Sequence, residues 1–291
     1  MPAAAVHRSP FSGTWYPGSA DSLQATLGRC FECAAARTGS AVRRDGVAFV
    51  VPHAAPMYSG AVAAAAYRHI ALRRPGRILL LGFSHHGLGS GVEIPDIALI
   101  STPFGDVRLD EASMRSLARC FPFRVSSESA VCDHSVEIQL PFIQWTAPDA
   151  LVTPLYVGRL SATERAAAAA VLESLLEDAV LIASSDFTHY GRAFGYTPFP
   201  AEGRVADRLR QLDGEIIGAA GTLDPDRFLD AIHRTRSTTC GYEPIALLLE
   251  ALRHRRVMQQ TLDYQTSGEL TGDYTRSVSY AALGYFPAAS R

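Results

Sequence analysis

What the chain lacks narrows the field first. No stretch approaches the roughly 18 consecutive apolar residues that a bilayer-spanning helix needs, so no membrane span is expected. The opening "MPAAAVHRSPFSGTWYPG" (1–18) has no continuous apolar core of the kind a secretory leader requires. Neither sign of charge is in excess: the formal net charge is −2, which gives no reason to expect nucleic acid or an anionic membrane surface as partner. Cysteine is sparse, odd in number and irregularly spaced, with five in the chain, which argues against a disulfide framework and for reduced thiols in a cytoplasmic setting. Cys30 and Cys33 form a lone C-x-x-C with no second pair. They lie one turn apart in a helical pattern, so a structural role is expected rather than a metal or redox one. Internal repeats, low-complexity linkers and charge blocks are absent too, which leaves one domain over 1–291.

What is present is an alternation. The 291 residues, 47% of them hydrophobic, suffice for a large α/β domain with a sizeable core. Strands are predicted at "VAFVVP" (47–52), "RILLLG" (77–82), "IALI" (97–100), "LVTPLYV" (151–157) and "AVLIAS" (179–184). Between them, helices are predicted at 60–72, at 110–121 with acidic residues in the first turn, and at 133–145 with Pro141 kinking or breaking it. Another opens at Ser161, where Glu164 completes a capping box. The final third reads as helices near 203–220, 225–235 and 243–256, the last ending in the basic run Arg253, His254, Arg255, Arg256. It closes with strand-like "QQTLDYQT" and "SVSYAALGYF". The expectation is an α/β fold: a single domain, a mostly parallel central sheet, helices on both faces, and the closing strands free to add antiparallel.

In such sheets ligands sit beyond the carboxyl ends of the strands. The strand at 47–52 is followed by His53, and "ILLLGFSHHGLGS" (78–90) places Ser84, His85 and His86 just past another strand. "AVLIAS" runs into Ser185, Asp186, Thr188, His189 and Tyr190. A single histidine after a strand is usually a satisfied loop residue. Several strands each delivering an imidazole at the same end, with an aspartate three residues before the last, point to a shared site. Cys240 in "RSTTCGYEPIALLLEAL" (236–252) precedes a helix start, where the dipole favours a thiolate. A small buried hydrophobe is the equal alternative for it. His134 and Glu137, on the helix after 133, either point at the site or are surface residues.

Together these segments resemble the Memo family, the family of the B component of the AmmeMemoRadiSam system. That family is similar in fold to class III extradiol ring-cleaving dioxygenases. The resemblance runs nearly end to end, through "GTWYPG" (13–18), "PHAAPMYSG" (52–60), "LGFSHH" (81–86), "DHSVEIQLPF" (133–142), "SSDFTHYG" (184–191), "TTCGYEPI" (238–245) and "SVSYAA" (277–282). It implies metal-binding or active-site roles for His53, His85, Asp186, His189 and Cys240, and so favours the ligand reading of Cys240. The sequence departs from the family pattern at Ala55-Pro56, where glycine and an aromatic are usual, and at Phe83, where proline is common. Both departures flank ligand positions that are kept, which suggests an altered pocket on an intact centre.

The chemistry implied is that of His53, His85 and Cys240 as metal ligands, with His189 and Asp186 as catalytic groups. Two imidazoles and one anionic donor with open positions suit a non-haem iron that binds substrate and O₂ together. Fe(II) is therefore the first expectation, with Zn or Cu as alternatives because a thiolate also suits them. His189 is the type of acid/base group that takes a proton from a phenol-like substrate, and Asp186 serves either to orient it or to accept a hydrogen bond from a ligand imidazole. His86, Tyr58 and Tyr190 are candidates to surround the ligands. The expected activity is that of an oxygenase-like enzyme on a small or peptide-borne aromatic substrate. A zinc hydrolase and a non-enzymatic metal-binding scaffold for a protein or peptide partner are the competing readings.

Overall fold

The computed structural model describes residues 6–87, 89–127, 132–200 and 203–288. Its main sheet is built from β2 (Ala48–Val51), β3 (Arg77–Gly82), β4 (Val92–Pro95), β7 (Phe123–Ser126), β8 (Leu151–Val157), β9 (Ala179–Ser184), β10 (His189–Gly191), β11 (Val257–Thr266) and β12 (Arg276–Pro287). The spatial order is β10-β12-β2-β9-β3-β8-β4-β7, with β11 paired to β12. At the centre, β2, β9, β3 and β8 run parallel. Among the described residues of this sheet, antiparallel pairing enters where β12 meets β2, β10 and β11 and where β4 meets β8. A separate small sheet joins β1 (Val6–Arg8), β5 (Leu99–Thr102) and β6 (Gly105–Val107) in the order β1-β5-β6.

The central strands are aliphatic because the pleat sends alternate residues into two buried layers. In β3, Ile78 and Leu80 join one core, and Leu79 and Leu81 join the other. Helices α1 (Ala20–Thr38), α2 (Pro56–Arg73), α4 (His134–Glu137) and α5 (Gln139–Thr146) cover the first face. The second face is covered by α3 (Glu111–Leu117), α6 (Ala162–Leu175), α7 (Val205–Ala220), α8 (Pro225–Thr235) and α9 (Tyr242–Leu252). A short α10 (Ser267–Thr271) links β11 to β12. Among the described residues, no helix is long and apolar enough to cross a membrane.

Most predicted elements are found, with instructive shifts. The capping box of α6 forms, Ser161 accepting from the Glu164 N–H while the Glu164 carboxylate accepts from the Ser161 N–H. The helical stretch after 133 is split at Ile138. Pro141 has no N–H for the Glu137 carbonyl and its ring crowds that carbonyl, so the turn cannot continue through it. Helix α2 starts four residues before the apolar pattern does, because Pro56 sits at its first helical position, where a proline has no bond to lose. The strand predicted at 97–100 is shifted to Leu99–Thr102 and belongs to the small sheet. The basic run at 253–256 lies just past the end of α9 rather than in its last turn. Strands β4 and β7 escape periodicity because each is four residues long and Glu93 of β4 interrupts an apolar run; its carboxylate pairs with Arg124 of β7 at 2.7 Å.

Candidate metal centre

Register brings the site together. Val51 of β2 lies beside Ser184 of β9, and Ala183 of β9 lies beside Leu81 of β3, so the three strands end at one level. His53, His85 and the 185–189 loop leave from that edge. Two glycines permit the remaining close approaches. A Cβ on Gly82 would lie 2.5 Å from Val136 Cγ2, so only glycine lets α4 pack against the end of β3 and carry His134 to His85. A Cβ on Gly241 would lie 2.5 Å from the Ser184 carbonyl, and its N–H donates to Ser185 Oγ at 2.9 Å. That contact fixes Cys240 against β9.

His53, His85 and His134 each offer a donor atom, and those atoms lie within 4.8 Å of one another. The His85 and His134 rings stack with centroids 4.1 Å apart, and His53 meets both edge-on. Each ring is held from outside the cluster. His85 Nδ1 lies 2.9 Å from Asp133 Oδ1, and a carboxylate can only accept, so Nδ1 carries the hydrogen and Nε2 keeps the lone pair. Asp133 also caps α4 by accepting from the Ser135 N–H and takes the His85 N–H, so one buried carboxylate orients the His85 loop and the helix bearing His134. Burial alone would raise the Asp133 pKa. The hydrogen bond from His85 and the nearby His134 outweigh it and hold the group well below the usual carboxylate range.

His53 is buried at 2% exposure, with Nδ1 3.0 Å from Ser184 Oγ. Gln139 donates to the same hydroxyl and to the Pro52 carbonyl. Burial, reinforced by His85, pushes the His53 pKa down to about 3. Burial and His53 do the same to His134, also to about 3. Both rings therefore present neutral imidazole, the form that ligates metals.

Cys240 Sγ lies 3.2 Å from His53 Nε2, on the His53 side of the cluster. It is not among the trio whose donors are mutually within 4.8 Å. Burial, then the Asp186 carboxylate, push its thiol pKa up, opposite to what a helix start alone would do. Asp186 Oδ1 accepts from the His53 N–H at 2.9 Å and the Ala54 N–H at 3.3 Å, so it clamps the loop carrying His53. Burial pushes its pKa up as well. His189 places Nδ1 2.9 Å from the Phe187 carbonyl and 3.1 Å from that of Thr238. Two carbonyls can only accept, so Nδ1 carries the hydrogen and Nε2 is the basic nitrogen.

A cavity of about 710 Å³ opens over this floor. His53, His85, His134, Asp186 and His189 line it, and Trp15, Met57, Tyr58 and Phe194 supply apolar wall. Trp15 also packs on His134 with centroids 4.2 Å apart. Of the surrounding candidates, Tyr58 lines the cavity and His86 is exposed, whereas Tyr190 turns away to donate to the Phe199 carbonyl. Phe83, one of the departures from the family pattern, packs its ring 4.3 Å from that of His85. The sequence alone leaves His134 undecided; Asp133, an N-cap residue that opens α4, is the local signal for its direction. Glu137, one turn on, faces a different cluster with His7 and Cys132.

The fold and this floor define an α/β protein with imidazoles gathered at the carboxyl ends of parallel strands, a candidate transition-metal centre. The family model for Memo-like proteins matches residues 8–284. The chain is 32% identical over 282 residues to a MEMO1 family protein of Methanosarcina acetivorans, covering 94% of this chain and 96% of the relative. It is 29% identical to Protein MEMO1 of Xenopus tropicalis (96% and 97% covered) and 29% identical to the memo-1 homolog of Caenorhabditis elegans (93% and 80%). It belongs to the Memo family. An uncharacterised protein of Escherichia coli K12 shares the fold, with a TM-score of 0.53 and 16% identity over 81% of this chain and 98% of that one.

Proposed function

We propose that the chain is a metal-dependent, oxygenase-like enzyme that holds a non-haem Fe(II) on His53, His85 and His134 and acts on a small or peptide-borne aromatic. Cys240, against His53, is placed to add a thiolate donor. The observation that carries this reading is the cluster of imidazole donors within 4.8 Å at the floor of a cavity that also holds His189. The donor set fits a divalent transition metal. Burial keeps His53 and His134 neutral, and the hydrogen bond to Asp133 fixes the His85 tautomer with Nε2 available.

Bound iron supplies the one-electron chemistry with O₂ that no side chain offers. The chain's own groups do the rest. Trp15, Met57, Tyr58 and Phe194 exclude water and offer flat apolar faces to an aromatic ring. His189 Nε2 takes the proton of a phenolic hydroxyl, and the resulting imidazolium stays anchored by Nδ1–H on the Phe187 and Thr238 carbonyls. Asp186 holds the His53–Ala54 backbone so that the ligand imidazole keeps its place.

The test is O₂ uptake by protein loaded anaerobically with Fe(II), against a panel of catechols and phenol-bearing peptides, with zinc-loaded protein as control. Substrate-dependent uptake by the iron form alone is expected. A three-imidazole set also suits catalytic zinc. Ester or amide hydrolysis by the zinc form, with no O₂ consumed by the iron form, would overturn the oxygenase reading in favour of a hydrolase. Inactivity of both, with tight stoichiometric metal, would overturn it in favour of a binding scaffold.

A further inference from the structure

A second group of metal-ligating side chains lies behind α4, apart from the cavity. His7 of β1, Cys132 just before α4 and Glu137 at its end each offer a donor atom, and these lie within 4.8 Å of one another. His7 and Glu137 are buried, at 6% and 1% exposure, and Cys132 is half-buried. Glu137 Oε1 takes a 2.8 Å contact from His7 Nε2. Its other oxygen, Oε2, is buried with no hydrogen-bond partner among the described residues. A buried carboxylate oxygen left without a donor or cation is costly, so native structures rarely tolerate one without a ligand to meet it.

We propose that His7, Cys132 and Glu137 form a second metal site, one that takes Zn²⁺ in a structural role. An imidazole, a thiolate and a carboxylate are each established zinc donors, and three protein ligands leave one position for water in a tetrahedron. One thiolate and one carboxylate also balance the charge of the ion, which a buried site needs. Binding forms Zn–N, Zn–S and Zn–O bonds in place of waters of the hydrated ion and breaks the His7–Glu137 contact; the His7 Nε2 hydrogen passes to Nδ1 by tautomerisation, the thiol proton of Cys132 leaves to solvent, and no electron is transferred. The site would brace the element that serves the cavity. Asp133 and His134 lie between Cys132 and Glu137 in sequence, and β1 ties to the small sheet through His7 beside Ile100. Zinc here would pin both ends of the segment that orients His85 and supplies His134.

The experiment is metal titration of the stripped full-length protein with Zn²⁺ and with Co²⁺ as a spectroscopic probe. Full-length protein should take two equivalents, and His85→Ala should retain one, with a thiolate-to-cobalt charge-transfer band. That band should persist in the His85→Ala, Cys240→Ser double variant and vanish when Cys132→Ser is added instead. Glu137→Gln in the His85→Ala background should also lose the retained equivalent. In case Cys132→Ser fails to fold, the His85→Ala protein offers a second measurement: Zn²⁺ should slow alkylation of Cys132, read peptide by peptide. Alkylation of Cys132 at the same rate with and without Zn²⁺ would overturn the proposal. So would a single equivalent in the full-length protein, lost in His85→Ala and untouched by Cys132→Ser, an outcome that leaves the cavity centre standing.

Discussion

On one side of the imidazole cluster His85 hangs from a side-chain carboxylate; on the other His53 is held by a hydroxyl while a carboxylate grips its backbone. Asp133 and Asp186, the carboxylates on the two sides, are almost equally buried, at 2% and 4% exposure, yet their pKa values move in opposite directions. Burial raises both, and at Asp133 the partners overcome it. Asp133 accepts the Nδ1–H of His85 and lies against His134, so its anion is favoured despite desolvation. Asp186 accepts two backbone N–H groups and has His189 near it, which is insufficient to offset burial. The anion on the His85 side makes a ligand more basic, whereas the carboxyl group on the His53 side serves as a backbone clamp beside the proton acceptor.

The comparison breaks most directly at the ligands. His53→Ala and His85→Ala should each abolish stoichiometric metal at the cavity while circular dichroism and thermal unfolding show a folded protein. Full occupancy in either variant would mean that the two sides do not share an ion. His189→Ala comes next: metal content should be retained while turnover falls roughly 10²-fold or more, the range for loss of a general base. If that variant lost metal as His53→Ala does, His189 would be a ligand and the proton would need another acceptor.

The carboxylates themselves sharpen it further. Asp133→Asn should weaken metal binding about 10- to 100-fold, the usual loss when a ligand histidine's hydrogen-bond partner is removed. Asp186→Asn should change affinity much less, because an amide oxygen can still accept the His53 and Ala54 N–H groups. Calorimetric titration of both variants checks this, and equal losses would erase the distinction between anion and clamp.

How much of this was legible in the sequence follows from what periodicity can see. The strands β2, β3 and β9 are buried on both faces, so their apolar runs stand out and their ends mark His53, His85 and the 185–189 loop. Short marginal strands such as β4 and β7 leave no such trace. His134 was ambiguous because it sits on a four-residue helix, too short for a face to be read from spacing. Its direction depends on the local Asp133 cap and on the close approach of Gly82 to Val136, and the second is a contact between segments far apart in sequence. Glu137 read as a neighbour of His134, and the break at Ile138 together with β1 gives it a different set of partners.

Acid should expose the same contrast in the metal-free protein. His53 and His134 have folded pKa values depressed to about 3, so their contribution is intact above the unfolded value of about 6.5 and is lost as pH falls from there toward 3. Asp133, depressed from about 4, adds its loss only at the acid end of that range, whereas Asp186, raised, contributes most at low pH and loses that contribution as pH rises through its folded value. Urea midpoints should therefore fall steadily below about pH 6.5, and His134→Phe should flatten the fall. A flat profile in the parent protein would mean that the rings are charged in the folded state.

The smallest effect is expected from the sulfurs of α1, which test whether any cysteine near the cavity matters or only the one against His53. Cys30 is buried with its sulfur turned to the Pro56 carbonyl at 3.7 Å, and a Cβ on Gly60 would lie 2.5 Å from that sulfur. Burial pushes its thiol up to about 11, so it is neither a ready nucleophile nor a ready ligand. Cys33, one turn on, is exposed. The Cys30 sulfur is a packing group between α1 and α2 rather than a metal ligand. Changing both residues to serine should leave metal content and turnover unaltered and lower stability by about 1 kcal/mol, nearly all of it from Cys30. Gly60→Ala should destabilise the parent protein and be partly tolerated beside Cys30→Ala, because the smaller side chain returns the space the new methyl needs. Loss of metal in the double serine variant would place a donor in α1 and take the distinction between packing thiol and ligand thiol with it.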